Sequence, residues 1–417
     1  MVKQIAILSV HTSPLAPLGG KKTGGMNVYI RELASQFSRC GVQVDIYTRR
    51  ITSEQPQVDV SLGENVRVIH VVAGAVQPLD PDEVYPYLSQ FTAGVLAFTT
   101  THPIEYDVIY SHYWLSGWVA NKLKEVWNAP FIHMFHTLGH MKQRIVTSHT
   151  YLPDVRIAVE TQIVNWADRI IAATQAEQAQ LLWLYRADRR KITVIPPGVD
   201  LERFHPIPKD VAKRQIGVAE NRHLLLFVGR IEPLKAVDTI LQAVALIPDC
   251  FYDDLCVGII GGNPQNPAEI ELTRLQELAQ ELHVEGIVNF LGAKDHTLLP
   301  LYYAAASIVI VPSDYESFGM VALEAMASGT PVIASEVGGL AFLVRDEETG
   351  ILVPARDAAA LADGIKTILT QPEKGKELGE NAAALAQQYT WSGIAQQLIH
   401  VFDDVMKSHK RFIRRKR

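Results

Sequence analysis

Cysteine is scarce in this chain: three residues in 417, Cys40, Cys250 and Cys256, an odd number with no CxxC pair. That usage excludes a disulfide framework and fits a reducing compartment. No apolar run reaches the length of a membrane-spanning helix. The N-terminal stretch Lys3-Gln4-Ile5-Ala6-Ile7-Leu8-Ser9-Val10 is too short for a signal-peptide core and carries no cleavage site. The expectation is a cytoplasmic protein without an integral membrane segment. Charge of one sign is lacking as well. Lys and Arg number 39 against 45 Asp and Glu, a net of −6, so no global field draws in nucleic acid. The exception is a basic tail, Lys407, Lys410, Arg411, Arg414, Arg415, Lys416 and Arg417, read as a solvated, frayed terminus. The dinucleotide pattern Gly-x-Gly-x-x-Gly is missing, as are repeats and low-complexity segments. His133, His136 and His140 lie close in sequence, but no carboxylate or cysteine completes a zinc spacing, so no metal is expected.

What is present is ample apolar material. A hydrophobic fraction of 48% over this length predicts two α/β domains. The run Ile5–Val10 reads as a buried strand and is followed by a loop with Gly19, Gly20, Gly24 and Gly25. A helical stripe of Val28, Ile30, Leu33, Ala34 and Phe37 then ends at Gly41, and Val42–Thr48 is a second strand. Further strands are expected at Val66–Val71, Asp107–Tyr110, Phe131–Phe135, Arg169–Ala172 and Ile192–Ile195. Pro196-Pro197-Gly198 breaks the pattern, and Val199 to about Val218 reads as the linker. A second series follows at Leu224–Val228, Val257–Gly261, Ile287–Leu291, Ile308–Val311 and Val332–Ala334. Strands alternating with helices in both halves predict two parallel, doubly wound sheets. The expected division is 1–205, 206–390 and a C-terminal segment 391–417, whose helix at Ser392–Met406 crosses back to the first domain. The ligand site is expected at the carboxyl ends of the strands, in a cleft between the domains.

Four loop constellations can carry chemistry. In Glu316-Ser317-Phe318-Gly319-Met320-Val321-Ala322-Leu323-Glu324, one carboxylate lies before a helix and the other inside it. The amides of Phe318, Gly319 and Met320 at the helix N-terminus suit a phosphate, and the carboxylates suit hydroxyls. In Gly229-Arg230-Ile231-Glu232-Pro233-Leu234-Lys235, directly after a strand, Arg230 and Lys235 can neutralise a diphosphate. In His133-Met134-Phe135-His136-Thr137-Leu138-Gly139-His140, His136 at the strand end is aimed at the ligand side, whereas His133 is a core residue. Arg156 and Glu160 sit one helical turn apart, either as an ion pair or with Arg156 on an acceptor phosphate near Tyr113 and Thr137.

Together these pieces resemble the retaining family-4 glycosyltransferases of GT-B fold, over nearly the whole chain. The resemblance rests on Gly24-Gly25-Met26-Asn27-Val28-Tyr29, Ser111-His112-Tyr113-Trp114, His136-Thr137-Leu138-Gly139, Pro196-Pro197-Gly198-Val199-Asp200, Gly229-Arg230 with Lys235, and Glu316-x7-Glu324. It implies transfer of a hexose from a nucleotide diphosphate sugar with retention and without a metal or other cofactor. Carried over by position, Arg230 and Lys235 hold the diphosphate. Glu316 binds donor-sugar hydroxyls beside Phe318, Gly319 and Met320, and Glu324 binds the ribose. His136 contacts the transferred sugar, and Gly25 sits against the donor. The catalytic set so implied is His136, Arg230, Lys235 and Glu316. Asn27, Tyr113, Thr137, Lys142 and Arg156 match acceptor positions, so the expected partners are a UDP-sugar and a phosphorylated sugar or polyol.

Two branches are similar. Sucrose-phosphate synthases move glucose from UDP-glucose to fructose 6-phosphate, and mycothiol-pathway enzymes move N-acetylglucosamine to an inositol phosphate. A lysine of the second branch falls at about Pro81, a departure from its pattern. His136-Thr137-Leu138-Gly139 with Lys142 is more similar to the first branch, whereas Gly25-Met26-Asn27 and Glu316-Ser317-Phe318-Gly319 are more similar to the second. Since a phosphorylated acceptor suits either, the expectation is sucrose 6-phosphate formation, with the inositol phosphate acceptor as the alternative. A GT-B phosphorylase would need a pyridoxal-phosphate lysine motif, which is not evident. A non-catalytic nucleotide-sugar binder would not need Arg230, Lys235, Glu316 and Glu324 together.

Overall fold

The computed structural model describes residues 1–16, 24–145, 154–266 and 269–416 of the chain. The glycines Gly19 and Gly20, together with Arg417, lie outside these. Two compact units are present, the break falling between Pro196 and Pro197, whereas 205 was the expected boundary. Helix Trp391–Lys416 belongs with the first unit, where it packs on helix Gly25–Arg39.

The first unit is built on β1 (Gln4–Leu8), β2 (Gln43–Arg49), β3 (Val58–Asp59), β4 (Val66–Val71), β5 (Val108–His112), β6 (Phe131–Met134), β7 (Arg169–Ala172) and β8 (Ile192–Val194). Their order is β3-β4-β2-β1-β5-β6-β7-β8, parallel throughout apart from β3 against β4. Helix Gly25–Arg39 buries Val28, Ile30, Leu33, Ala34 and Phe37. It is followed by Gly41 at φ 76°, a left-handed position suited to glycine after a helix.

The second unit contains β9 (His223–Val228), β10 (Leu255–Ile260), β11 (Val288–Gly292), β12 (Ile308–Val311), β13 (Val332–Ser335) and β14 (Gly350–Val353). All are parallel, in the order β11-β10-β9-β12-β13-β14. Central strands such as Ile308–Val311 are buried along their whole length, which is why they read as unbroken apolar runs rather than alternations.

Four sequence expectations are corrected. The segment read as linker contains a helix, Lys209–Ile216, closed by Gly217 at φ 74° and packed on helix Leu299–Ala305. Its flanking prolines bound the helix rather than exclude it. The two-residue β3 and the edge strand β14 went unseen, since neither carries enough pattern. The final helix runs to Lys416 instead of Met406, so the backbone of the basic residues from Lys407 to Lys416 is helical. Lys and Arg are good helix formers and extend a helix that the apolar stripe has already nucleated. Among the described cysteines, Cys40 is exposed and Cys256 buried, both unbridged. No helix among the described residues is long and apolar enough to cross a membrane.

Candidate active site

Each sheet has a point where the chain leaves a first strand toward both sides. In the second unit β9 lies between β10 and β12, and in the first β1 lies between β2 and β5. Open α/β sheets bind ligands at the carboxyl ends of the strands at such points. The residues singled out in the sequence fall into several clusters, in the loops and helices that follow the strands.

In the second unit, the loop after β9 carries Arg230 and then Lys235 in a short 3-10 turn, Pro233–Lys235. The next residue, Ala236, is held at φ 51°. The loop after β12 carries Glu316. Lys235 Nζ donates to Glu316 Oε1, joining the two loops. A backbone bond from Asp314 N to Leu234 O, 2.9 Å, runs beside it. Arg230 Nη1 is 2.5 Å from Glu232 Oε1, and its side chain is 39% exposed, so the guanidinium is open to a ligand.

Helix Met320–Ala327 begins at Gly319, at φ 105° and ψ 57°, with no side-chain cap. A Cβ there would lie 2.5 Å from Leu340 Cδ2, so both conformation and space require glycine. The uncapped first turn, with its unsatisfied amides and positive dipole end, is a ready anion site. Gly338 and Gly339, in the loop after β13, press against the Glu316–Phe318 backbone, and Gly339 N donates to Glu316 O at 2.8 Å. Glu324 lies inside the helix, as expected, and accepts from Tyr303 Oη at 2.8 Å and His296 Nε2 at 3.1 Å.

In the first unit, Tyr113 follows β5 and His136 follows β6. Both have left-handed backbones, at φ 71° and 60°. Non-glycine residues in that region store strain and concentrate at functional positions. His136 Nε2 lies 2.9 Å from His112 Nδ1. Burial, helped by His11, pushes the His136 imidazole down to about 3, so its ring is neutral. Burial likewise pushes His112 and His133 well below the usual value. His133 is a core residue, with Nδ1 2.8 Å from Ser111 Oγ.

Arg156 is 3% exposed and draws three elements together. Its Nε donates to Glu160 Oε1 at 2.7 Å, Nη1 to Tyr113 Oη at 3.1 Å, and Nη2 to Thr137 O and Oγ1 at 2.8 and 3.0 Å. The ion-pair reading of this pair holds, and Arg156 also bonds Tyr113 and Thr137, the residues expected near it. Glu160 further accepts from Gly139 N and from the Tyr185 hydroxyl. Asn27 Nδ2 donates to Thr12 Oγ1 and Ser13 O, both at 2.6 Å, and so fastens the loop after β1. Gly25 opens helix Gly25–Arg39, and Lys142 lies partly buried on helix Gly139–Ile145. Pro81 occupies the first position of a one-turn helix, Pro81–Val84, where its fixed φ fits.

Sequence reading missed His296, Tyr303, Gly338, Gly339 and Arg356. The pair Gly338-Gly339 in a strand-to-helix turn is a usable signal, since adjacent glycines there allow close approach to the backbone. Nothing local marks His296 or Arg356, whose partners lie far along the chain. No group of three or more metal-binding side chains occurs among the described residues.

Comparisons with known proteins agree with this geometry. Residues 23–203 match the family profile "Glycosyltransferase Family 4" and residues 208–385 match "Glycosyl transferases group 1". The D-inositol 3-phosphate glycosyltransferase 2 of Catenulispora acidiphila is 42% identical over 96% of this chain and 94% of that protein. The D-inositol 3-phosphate glycosyltransferase of Actinosynnema mirum is also 42% identical, over 96% of this chain and 97% of its own. Among solved structures, sucrose-phosphate synthase from Thermosynechococcus elongatus superposes with a TM-score of 0.90 at 35% identity, covering 97% of this chain and 100% of that one. The chain belongs to the family-4 glycosyltransferases of GT-B fold and is a glycosyltransferase.

Proposed function

We propose that this enzyme transfers a hexosyl group from a nucleotide diphosphate sugar to an inositol phosphate. One observation carries the acceptor class. Arg156, Tyr113 and Thr137 converge at the ligand edge of the first sheet, in a chain 42% identical to proteins named for D-inositol 3-phosphate. Tyr113 and Thr137 turn hydroxyls toward the acceptor phosphate, and Arg156 fixes both while lending its charge. On the donor side, Arg230 and Lys235 balance the diphosphate and stabilise it as it leaves. Glu316 takes sugar hydroxyls, the Phe318–Met320 amides take a phosphate oxygen, and Glu324 takes the ribose. His136, neutral, hydrogen-bonds the transferred sugar. The leaving phosphate assists the acceptor on the same face, so configuration is retained and no carboxylate pair spaced for double displacement is needed. No metal takes part in this reading.

Fructose 6-phosphate is the second acceptor to consider. The 35% identity and TM-score of 0.90 to a sucrose-phosphate synthase favour it, as does the departure at about Pro81 from the lysine that the resemblance to the inositol branch implies. The deciding experiment crosses UDP-glucose, UDP-N-acetylglucosamine and their ADP forms with inositol 3-phosphate and fructose 6-phosphate, and measures product. Turnover with inositol phosphate alone supports the first reading. Turnover with fructose 6-phosphate alone replaces it with the second. Nucleotide release into water without either acceptor refutes both.

A further inference from the structure

The motif Pro196-Pro197-Gly198-Val199-Asp200 has no part in the chemistry described so far, yet Asp200 begins a chain of contacts that ends on Glu324. Asp200 Oδ1 accepts from the amides of Glu202 and Arg203, both at 3.1 Å, closing a tight turn. Asp200 Oδ2 lies 3.6 Å from Arg203 Nη2. Arg203 Nη1 lies 2.7 Å from His296 Nδ1. A guanidinium can only donate, so Nδ1 must accept, and the imidazole hydrogen sits on Nε2. Nε2 then donates to Glu324 Oε1 at 3.1 Å. Tyr303 donates to the other oxygen at 2.8 Å. The buried ring of Phe204, next to Arg203, packs edge-on against both His296 and Tyr303, with centroids 5.2 and 5.8 Å away. All of these residues belong to the second unit.

The consequence is chemical. Each oxygen of Glu324 spends one lone pair on protein, so the carboxylate is held in one plane with one lone pair per oxygen to spare. Two acceptors at that separation match the vicinal hydroxyls of a ribose. We propose that Asp200, Arg203 and His296 are positioning residues that fix the tautomer of His296 and the plane of Glu324, and so set discrimination for a ribonucleotide over a deoxyribonucleotide donor. The proposal rests on the reading of Glu324 as the ribose ligand. It also gives the Pro-Pro-Gly-Val-Asp turn a role through Glu324 rather than through direct contact.

The test is calorimetric binding of UDP, 2′-deoxy-UDP and 3′-deoxy-UDP to the wild type, His296→Ala, His296→Gln and Arg203→Met. Loss of one hydrogen bond to a fixed carboxylate is worth about 10- to 100-fold in affinity, and wild type should show that preference for UDP. His296→Ala and Arg203→Met should bring the ratio toward unity. His296→Gln keeps an acceptor for Arg203 and a donor for Glu324 and should restore the preference. Arg203 is 30% exposed, so its replacement spares the core, and a melting curve on each variant checks folding. A merely structural role would weaken all three ligands equally and leave the ratio intact, and that result overturns the relay. A wild type that binds the deoxy analogues as tightly as UDP overturns the ribose reading of Glu324, and the relay with it.

Discussion

Lys235 Nζ donates to Glu316 Oε1 across the carboxyl ends of two neighbouring strands, β9 and β12. Both side chains are mostly buried, at 16% and 21% exposure, so the pair forms in a site of reduced water. In the proposed function the ammonium faces the leaving diphosphate and the carboxylate the donor hydroxyls. Lys235→Ala should lower turnover at least ~10²-fold, the scale for losing one preorganised stabiliser of transition-state charge. The assay is acceptor-dependent UDP release at saturating donor. Near-normal turnover would remove Lys235 from the mechanism.

The acceptor cluster gives a separable prediction. Tyr113→Phe and Thr137→Val each remove one hydroxyl that accepts from Arg156 but keep both members of the buried Arg156–Glu160 pair, whose side chains are 3% and 0% exposed. Both variants should raise KM for the phosphorylated acceptor about tenfold, one hydrogen bond to a charged group, while UDP affinity stays unchanged. Arg156→Ala should weaken acceptor use too, but it leaves the Glu160 carboxylate buried without its cation. Breaking such a pair costs about 3–5 kcal/mol, so that variant should also melt at lower temperature. Parallel losses of acceptor and UDP binding in the hydroxyl variants would refute the assignment of Tyr113 and Thr137 to the acceptor.

Arg356, in the loop after β14, clasps the loops that follow β9 and β12. Its guanidinium reaches Asp314 at 2.6 and 2.7 Å, Asp238 at 2.9 and 3.0 Å, and Pro233 O at 2.8 Å. Asp314 lies two residues before Glu316, and Pro233 two before Lys235. Arg356→Ala should therefore loosen both partners of the Lys235–Glu316 pair. The expected outcome is a fall in kcat/KM for the donor of about tenfold, with acceptor KM unchanged; each charge-assisted bond is worth roughly 1.5–3 kcal/mol when desolvated and less at this exposure. A lysine side chain carries charge without the planar fork, so Arg356→Lys should recover only part of the loss. Unchanged donor kinetics in Arg356→Ala would mean the loops hold themselves.

How far the sequence speaks for itself differs between elements. The buried parallel strands were legible because full burial writes an uninterrupted apolar run, as in Ile308–Val311. Positions such as Arg230, Lys235 and Glu316 were legible as candidates because loops after such strands face ligand and carry polar residues with no core task. The pairing of Lys235 with Glu316 was not, since it depends on β9 and β12 being neighbours, and sequence order alone does not give that. His296 and Arg356 were invisible for the same reason: a positioning residue is defined by a partner remote in the chain. Arg156 shows the opposite case: the i,i+4 spacing pointed to the Glu160 contact, and Tyr113 and Thr137 were expected nearby, but that one guanidinium bonds all three at once was not legible.

Buried titratable groups set an acid limb and an opposing neutral one. His136 is pushed down to about 3 by burial, against roughly 6.5 in the unfolded chain. Between those values the unfolded state binds one more proton than the folded state, so stability falls as pH drops, by about 1.4 kcal/mol per pH unit. Glu177 has the reverse sign. Burial raises its carboxyl to about 7, against roughly 4.3 unfolded, and Oε1 has no hydrogen-bond partner while Oε2 accepts from Ala173 N at 2.6 Å. From about 4.3 to 7 the folded state holds the extra proton, so this group's contribution falls as pH rises. Glu177→Gln, which keeps the acceptor for Ala173, should therefore melt higher than wild type at pH 8 and converge with it near pH 4. His136→Gln should do the opposite, gaining on wild type as pH falls from 6.5 to 4. Melting curves of the three proteins between pH 4 and 8 test both, and a Glu177→Gln variant that gains nothing at pH 8 would show that the carboxylate is solvated after all.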